Sequence, residues 1–385
     1  MLRNLFRKSP EQLIELGDEE FQKRNYKNAL SKYLDALERV EKDIFGLNEK
    51  IGDCYFQLEE FDKAIKSYTR AIRFNPNNQY LYDKRGNCYS VKKDILKAIA
   101  DYGKAISISE KDFYISIKKG DCEYQIGYFE DALEDYLRAL KYDKENVQLL
   151  ENIGNTYIQL KEYRLAIVYY QKVQKLSNNS NSYIYDKTGD AFRELGECEE
   201  AIQQYEEVLK REKPKSYLFD KIGDCYQQLE RYDKAIEYYE HALHGSENVE
   251  YLYDKMGLAY YKLGKYKEAI NQYTKLIQMF SDTFYFYTKR GRVYQKDGSY
   301  QNAIADFNKA IGLNPNDYYA FRRRGEIYHK LGNCDKAMSD YKKALQLLGI
   351  NLEDMKNVKL DDKSSEVYQN LKNCINGLPP EKDEK

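Results

Sequence analysis

The residues that could hold a metal ion or act as a nucleophile are few in this chain. Two of its three histidines, His241 and His244, have the His-x-x-His spacing of a metal site, but no Cys, Asp or Glu joins them at a recurring ligand spacing. Four of the seven cysteines recur near multiples of one fixed spacing: Cys54, Cys88, Cys122 and Cys225. Cysteines placed so regularly are typical of a repeated core, where the thiol packs as a small apolar group. We therefore predict no catalytic residue, no metal site and no cofactor.

The composition narrows the class of partner and the location. Lys and Arg number 62 against 63 Asp and Glu, so the formal net charge is −1 and the chain lacks the positive excess of a general nucleic-acid binder. No apolar run approaches the roughly 18 residues of a membrane span, and Met1–Lys8 lacks the apolar core of a secretory signal. An odd number of cysteines in a long chain is typical of a reducing compartment. We predict a cytoplasmic protein without a membrane span.

The chain repeats itself every 34 or 35 residues. Ten glycines mark the repeat: Gly17, Gly52, Gly86, Gly120, Gly154, Gly189, Gly223, Gly257, Gly291 and Gly325. When each glycine is numbered position 8 of its repeat, position 20 is always Ala and position 24 is always Tyr or Phe. In the same numbering, 34 of the 40 tyrosines fall on positions 2, 4, 11, 12, 17 and 24. The excess of tyrosine therefore belongs mostly to the repeated framework.

Each repeat has the pattern of two helices joined by a short turn. In the repeat around Gly223, apolar residues recur every three or four positions before and after a polar turn, which indicates two amphipathic helices. The small residues at positions 8 and 20 are expected to let the helices approach, and the aromatic residue at position 24 to fill the gap to the next repeat. Ser9-Pro10-Glu11-Gln12 predicts a capped start, and Ser364–Ile375 predicts a last helix that covers repeat ten.

This pattern of Gly, Ala and aromatic residues resembles the tetratricopeptide repeat (TPR) family, from Pro10 to about Asn351. The resemblance implies an all-α fold, a right-handed superhelical solenoid of ten TPR helix-turn-helix hairpins plus a C-terminal capping helix. We expect residues 1–9 to be an N-terminal lead-in, 10–351 the ten-repeat array, 352–376 a linker and capping helix, and 377–385 a disordered tail. The sequence departs from the family at position 4, where the family's Trp is absent.

The resemblance also implies a concave groove lined by the first helices, through positions 2, 5, 9, 12 and 13. At positions 2, 5 and 9 in the middle of this groove stand Tyr183, Asp186, Asp190, Tyr217, Asp220, Asp224, Tyr251 and Asp254. Tyrosine offers rigid contact area and carboxylates attract Lys or Arg, so these residues are the candidate peptide-binding surface. An alternative stays open: position 6 is Lys in seven repeats, and these charges then only pair with acids of their own helix.

The charge changes sign toward the end of the array. Repeat nine has a net charge of +2 and repeat ten of +4, whereas repeats one and six have −3 each. The groove then ends on four basic residues, Lys289, Arg292, Arg322 and Arg323. We expect this basic end to bind an acidic segment or a terminal carboxylate, because guanidinium groups form paired hydrogen bonds with carboxylates. Phosphates of RNA and an ordinary charged surface are the alternatives.

Taken together, the residues and the resemblance predict a non-catalytic scaffold or adaptor. Its partner is another protein, bound through an extended or helical segment in the groove. The alternative function is that of an RNA-associated factor that uses the basic C-terminal repeats, with an affinity that falls steeply in salt. Self-association through one of the caps is a further alternative. The sequence names neither the partner nor the pathway.

Overall fold

The computed structural model describes residues 8–40, 46–109, 112–178, 180–213, 215–246, 249–350 and 362–379. Within these ranges the chain forms 21 α-helices and no strand, in agreement with the all-α prediction. The chain divides into two units, Met1–Glu197 (unit 1) and Cys198–Lys385 (unit 2). Most of the predicted lead-in and tail, residues 1–7 and 380–385, and residues 352–361 of the predicted linker lie outside the described residues.

Unit 1 contains α1 (Pro10–Gln22), α2 (Tyr26–Leu37), α3 (Leu47–Gln57), α4 (Phe61–Phe74), α5 (Gln79–Val91), α6 (Ile95–Ile108), α7 (Phe113–Gln125), α8 (Phe129–Leu140), α9 (Val147–Gln159), α10 (Tyr163–Leu176) and α11 (Ser182–Glu194). Unit 2 contains α12 (Cys198–Arg211), α13 (Ser216–Gln228), α14 (Tyr232–Leu243), α15 (Val249–Lys262), α16 (Tyr266–Met279), α17 (Phe284–Asp297), α18 (Tyr300–Leu313), α19 (Tyr318–Lys330), α20 (Cys334–Leu347) and α21 (Asp362–Ile375). Within each unit every helix packs against the next one along the chain, most extensively between the two helices of a hairpin.

The start of the array has the cap that the sequence predicts. The backbone N–H of Gln12 donates to Ser9 Oγ at 3.3 Å, and the backbone N–H of Ser9 donates to Gln12 Oε1 at 3.0 Å. Pro10 occupies the first turn, where its missing N–H has no carbonyl to meet. This reciprocal pair satisfies two donors at the helix start.

The repeat glycine makes room for the aromatic ring at position 24 of its own hairpin. A Cβ added at Gly223 would lie 2.5 Å from Cε1 of Tyr239, a ring with no exposed surface. In repeat three, Tyr102 also shares an apolar cluster with Ile115 of the next repeat. The expectation that the ring fills the gap between repeats is therefore incomplete, because the ring first fills the space above the glycine of its own hairpin.

Four repeats add a buried ion pair between positions 7 and 23 of the two helices of the hairpin. In repeat four it joins Lys119 to Asp135, and in the other three it joins an arginine to an aspartate: Arg85 with Asp101, Arg290 with Asp306, and Arg324 with Asp340. Nε and Nη2 of Arg290 each donate to one carboxylate oxygen of Asp306, both at 2.8 Å, while Nη1 donates to Thr274 of the preceding repeat at 3.0 Å. One guanidinium thus ties a hairpin together and fastens it to its neighbour.

The last described helix, α21, has the spacing of a first helix, and the described residues after it contain no second helix. Val367, Leu371 and Cys374 join the apolar cluster of α20 in the way that positions 3, 7 and 10 do elsewhere. In this phase Lys372 occupies position 8, where every full repeat has glycine, and it is exposed. A lysine there would clash with the position-24 ring of a second helix, which distinguishes α21 from the first helices of the ten repeats.

Candidate protein-binding surface on the first helices

The candidate residues lie on five first helices. α11 carries Tyr183, Asp186 and Asp190; α13 carries Tyr217, Asp220 and Asp224; α15 carries Tyr251 and Asp254; α17 carries Lys289 and Arg292; α19 carries Arg322 and Arg323. We call the side chains at positions 2, 5, 6 and 9 of the first helices the first-helix face. Their spacing of three or four residues places them on one side of each helix.

Tyrosines at position 2 are the exposed component of this face. The exposed fraction is 55% for Tyr80, 60% for Tyr114, 45% for Tyr183, 41% for Tyr217 and 39% for Tyr285. The carboxylates at positions 5 and 9 of the candidate set are half-buried. The face therefore presents aromatic rings outward and keeps most of its charge beneath them.

The lysine at position 6 pairs with acids of the preceding repeat. Lys255 Nζ lies 2.8 Å from Asp220 Oδ1 and 2.6 Å from Asp224 Oδ1, both on α13. In unit 1, Lys84 on α5 makes the same pair of contacts with positions 5 and 9 of α3 at 2.7 and 2.8 Å. At these positions the alternative of pairing within one helix is wrong, since the charges join successive repeats.

In repeats one to five and in repeat seven, the residue at position 9 accepts the hydroxyl of the buried tyrosine at position 24. Tyr239 donates to Asp224 Oδ1 at 2.8 Å. The same bond recurs in five repeats of unit 1 at 2.7 to 2.9 Å, namely Tyr33 to Asp18, Tyr68 to Asp53, Tyr102 to Asn87, Tyr136 to Asp121 and Tyr170 to Asn155. Burial, followed by the nearby Asp224 charge, raises the pKa of Tyr239 well above its usual range, so the hydroxyl remains a donor.

Repeat nine tests this assignment of position 9 from within the chain. Its position 24 is Phe307, which has no hydroxyl to satisfy, and its position 9 is Arg292 instead of an acid or amide. The Arg292 guanidinium lies over the ring of Tyr261, 4.9 Å from the centroid. The change of charge at position 9 thus accompanies the loss of the hydroxyl. The position-9 acids and amides that accept a tyrosine hydroxyl are therefore part of the packed framework.

The lysines at position 6 also make cation–π contacts with the tyrosines at position 2. The ammonium groups of position 6 lie over the rings of position 2 on their own helix: Lys187 over Tyr183 at 5.4 Å, Lys221 over Tyr217 at 5.2 Å, Lys255 over Tyr251 at 4.7 Å and Lys289 over Tyr285 at 4.8 Å. The hydroxyl of Tyr285 donates to Asp254 of the preceding repeat at 3.1 Å. These contacts fix the orientation of each ring before any partner arrives.

Two of the four basic residues are engaged inside the protein. Arg322 and Arg323 are 7% and 6% exposed, and both donate to Glu326, at 2.9 and 3.0 Å. Arg322 also pairs with Glu366 on α21. The sequence places these guanidinium groups at an open basic end. The structure buries both instead: Glu326 binds the two guanidinium groups, and Glu366 on α21 also reaches Arg322 at position 5 of repeat ten.

The other two basic residues keep their charge available. No carboxylate among the described residues lies within 4.0 Å of Lys289 or Arg292. Nε of Arg292 is buried and has no hydrogen-bond partner in the described part of the chain. Of the four basic residues predicted at this end of the groove, only Lys289 and Arg292, both on α17, have no carboxylate partner among the described residues.

Replacing Lys255 with methionine is expected to lower the free energy of unfolding of unit 2 by about 1 kcal/mol, since two half-buried carboxylates lose their shared cation. The loss should shrink at high salt, because screening weakens the pair that is removed. Urea unfolding at low and high salt measures it. Lys267→Met, an exposed lysine on α16, is the matched control. Equal losses in the two variants would show that Lys255 does not join the repeats.

The described residues offer neither a membrane-spanning element nor a ready metal centre. None of the described helices has both the length and the apolar character that crossing a membrane requires. Likewise, the described ranges bring no three His, Cys, Asp or Glu side chains together in a metal-binding arrangement.

Comparisons with known proteins match this architecture along most of the chain. Family models described as "TPR repeat" match residues 120–161, 257–298 and 291–332, and models described as "Tetratricopeptide repeat" match residues 50–78, 80–112, 147–180, 187–249 and 322–347. No curated protein matches the chain.

Solved structures resemble the chain at low sequence identity. The C-terminal part of a TPR repeat-containing protein from Cytophaga hutchinsonii is 18% identical, covers 63% of this chain and all 100% of its own, and superposes with a TM-score of 0.54. A tetratricopeptide repeat protein from Parabacteroides merdae is 17% identical over 65% of this chain and 98% of its own, with a TM-score of 0.44. A structure of Naa15/Naa10 bound to HypK is 14% identical over 94% and 73%, with a TM-score of 0.48. The first of these likenesses supports the fold.

Proposed function

Because this chain belongs to the tetratricopeptide repeat family, we propose that it is a non-catalytic scaffold that binds an extended segment of another protein on its first-helix face. Proteins of this family generally serve as scaffolds for interactions between proteins. The observation that carries the proposal is the exposed tyrosine at position 2, which recurs on first helices of both units. An aromatic ring that recurs at the same position of successive repeats suits a ligand that runs from repeat to repeat.

The tyrosines are organised in advance for binding. The ring of Tyr217 lies 5.2 Å from the Lys221 ammonium, and Tyr285 is fixed by both Lys289 and Asp254. A ring that is already oriented loses little conformational entropy when a partner covers it. Rigid aromatic rings of this kind carry much of the binding energy in protein interfaces.

The same contacts define the chemistry of the segment. Because Asp220 and Asp224 already share an ion pair with Lys255, a Lys or Arg of the partner gains less from them than the sequence alone suggests. Apolar or aromatic side chains that pack on the tyrosine faces gain more. Glutamines at position 13, such as Gln57, Gln125 and Gln228, offer amides for backbone groups of an extended segment.

The two remaining basic residues on α17 give this surface a preference for an anionic group at one place. Lys289 and Arg292 would take a carboxylate of the same segment, since neither is paired with an acid within the described residues. RNA binding is the weaker candidate, because Arg322 and Arg323 are covered. We expect binding that falls only modestly with salt, whereas contacts with many phosphates would make it fall steeply.

Affinity capture with matched tyrosine variants tests the proposal. Wild type, a Tyr217→Ala/Tyr285→Ala variant and a Tyr128→Ala variant are compared for the proteins and nucleic acid they retain, after circular dichroism has shown equal folding. Tyr128 is 52% exposed at the start of α8 and lies off the first-helix face. We expect specific proteins to be retained by wild type and Tyr128→Ala and lost by the double variant. Identical sets for all three, or retained RNA alone, would contradict the proposal.

A further inference from the structure

We propose that Cys334 and Cys374 are a thiol oxidation site, in which a low-molecular-weight disulfide such as oxidised glutathione converts them into a reversible disulfide that fastens α21 to α20. The inference concerns the last two described helices and stands independently of the proposed ligand.

The two thiols lie where α21 packs on the array. Cys334 is the first residue of α20 and Cys374 is in the last turn of α21. Cys374 Sγ donates to the backbone carbonyl oxygen of Cys334 at 3.6 Å, and the Cys334 thiol is itself a hydrogen-bonding neighbour of Cys374. They are 40 residues apart in sequence, so this contact depends on the docking of α21.

The five other cysteines of the chain are arranged differently. Cys54, Cys88, Cys122, Cys198 and Cys225 are all buried thiols. Cys122 contacts Ser90 Oγ at 3.8 Å, and Cys198 contacts Gln228 Oε1 at 3.0 Å. Cys334 is partly exposed, whereas Cys374 is only 4% exposed. The pair therefore combines one thiol that a reagent can reach with one that can complete the bond from inside.

The environment of Cys374 assigns the order of the two steps. Burial, followed by the contact with Cys334, raises the pKa of Cys374 to about 12. Near neutral pH the Cys374 thiol therefore stays protonated and unreactive. Cys334, the more exposed of the two, is the group that reacts first. The Cys334 thiolate attacks one sulfur of the small disulfide and releases one small thiolate, which leaves a mixed disulfide on Cys334.

The second step closes the bond. Cys374 loses its proton to solvent as its sulfur attacks Cys334 Sγ, and the second small thiolate leaves. In sum, two protein thiols and one small disulfide give one protein disulfide and two small thiols. A reducing thiol pool reverses both steps.

The consequence is a cap whose attachment depends on the redox state. α21 also holds the face of repeat ten through Glu366 on Arg322, and His329 Nε2 donates to the carbonyl oxygen of Leu378, just beyond α21, at 2.7 Å. While it is formed, the disulfide would hold α21 in the position in which both contacts exist. In the reduced protein these contacts form and break in an equilibrium, and opening of α21 frees Arg322 from Glu366.

Differential alkylation and mass spectrometry on the full chain test the site. Reduced protein is incubated with glutathione buffers of graded ratio, quenched, alkylated and digested. We expect a Cys334–Cys374 cross-linked peptide, with the other five cysteines alkylated as thiols. Cys374→Ser should stop at the glutathione mixed disulfide on Cys334, and Cys225→Ser should leave the cross-link unchanged. A cross-link that forms no faster in folded than in urea-unfolded protein would overturn the proposal.

Hydrogen exchange measures whether the disulfide stabilises the docked α21, which a disulfide formed without structural consequence would not do. Oxidation is expected to slow exchange of the α21 amides by about tenfold or more, since the bond removes the undocked state. Exchange in α14, which does not contact this site, is the internal reference. Unchanged or faster exchange in α21 would show that the bond does not stabilise the docked helix, and the proposal would fail.

Discussion

Replacing Asp306 with alanine is expected to lower the free energy of unfolding of unit 2 by about 3–5 kcal/mol, the usual cost of leaving one member of a buried ion pair alone. Asp306 is 6% exposed and accepts two hydrogen bonds from Arg290. Without it, the guanidinium stays between α17 and α18 with no carboxylate to balance its charge. Urea unfolding followed by circular dichroism, with hydrogen exchange in α17 and α18, measures the loss.

The chain itself supplies the compensating replacement. Repeats five and seven place an isoleucine at position 7 and a tyrosine at position 23, Ile153 with Tyr169 and Ile222 with Tyr238. The double variant Arg290→Ile/Asp306→Tyr should therefore recover most of the stability, because apolar pairs often replace buried ion pairs at little cost. A double variant as unstable as Asp306→Ala would contradict this account, as would a single variant that costs less than about 1 kcal/mol.

Raising the pH from 5 to 8 is expected to lower the free energy of unfolding of unit 1 by about 2–3 kcal/mol more in wild type than in Glu123→Gln. Burial raises the pKa of Glu123 to about 7, against an ordinary value of 4.5, and the nearby Lys119 offsets part of the shift. The folded protein therefore binds the proton more tightly than the unfolded chain. The resulting stabilisation is complete below pH 4.5 and is lost as the pH rises through about 7.

The position of Glu123 explains the effect. It occupies position 11, where most repeats have an aromatic residue, and it is 3% exposed. Its Oε2 atom is buried and has no partner among the described residues. Urea unfolding of both proteins at the two pH values gives the difference, and Glu130→Gln, an exposed acid on α8, serves as the control. Parallel pH dependence in wild type and Glu123→Gln would show that Glu123 titrates normally.

The helices follow from the sequence because their determinants are local. The Gly, Ala and aromatic spacings that predict the hairpins recur within each repeat, and the structure confirms an all-α chain of helices at those places. The role of the position-24 ring is less accessible, since Gly223 and Tyr239 lie on different helices and meet only after the hairpin closes. Periodicity shows that both residues are required, without showing that one accommodates the other.

The first-helix face was only partly predictable because its contacts cross repeats. Lys255 pairs with Asp220 and Asp224 of the preceding repeat, whereas rules for helix surfaces consider only neighbours three or four positions away on the same helix. Comparing the same positions in successive repeats would nevertheless have indicated these contacts. Repeats that carry Lys at position 6 mostly follow repeats with an acid at position 5 or 9, and the arginine at position 9 occurs together with Phe307.

The burial of the basic end was harder still to predict, because the acid that pairs with Arg322 comes from outside the ten repeats. Glu366 reaches Arg322 from position 2 of α21, a helix that lacks the glycine marker and has Lys372 in its place. Val367, Leu371 and Cys374 carry the framework spacing in that helix and could have revealed it as a first helix. Arg322 of repeat ten would then have been predicted to pair with an acid of α21 instead of a ligand.

Site-specific photo-crosslinking tests the central claim most directly, namely that a protein segment lies on the first-helix face. A photoreactive phenylalanine analogue is placed at position 217 on α13 or, as the control, at position 128 off the face. After irradiation in lysate, adducts are identified by mass spectrometry. The account predicts discrete protein adducts at 217, lost when Tyr285→Ala is added, and none at 128. Equal adducts at both positions, or nucleic acid alone at 217, would contradict it.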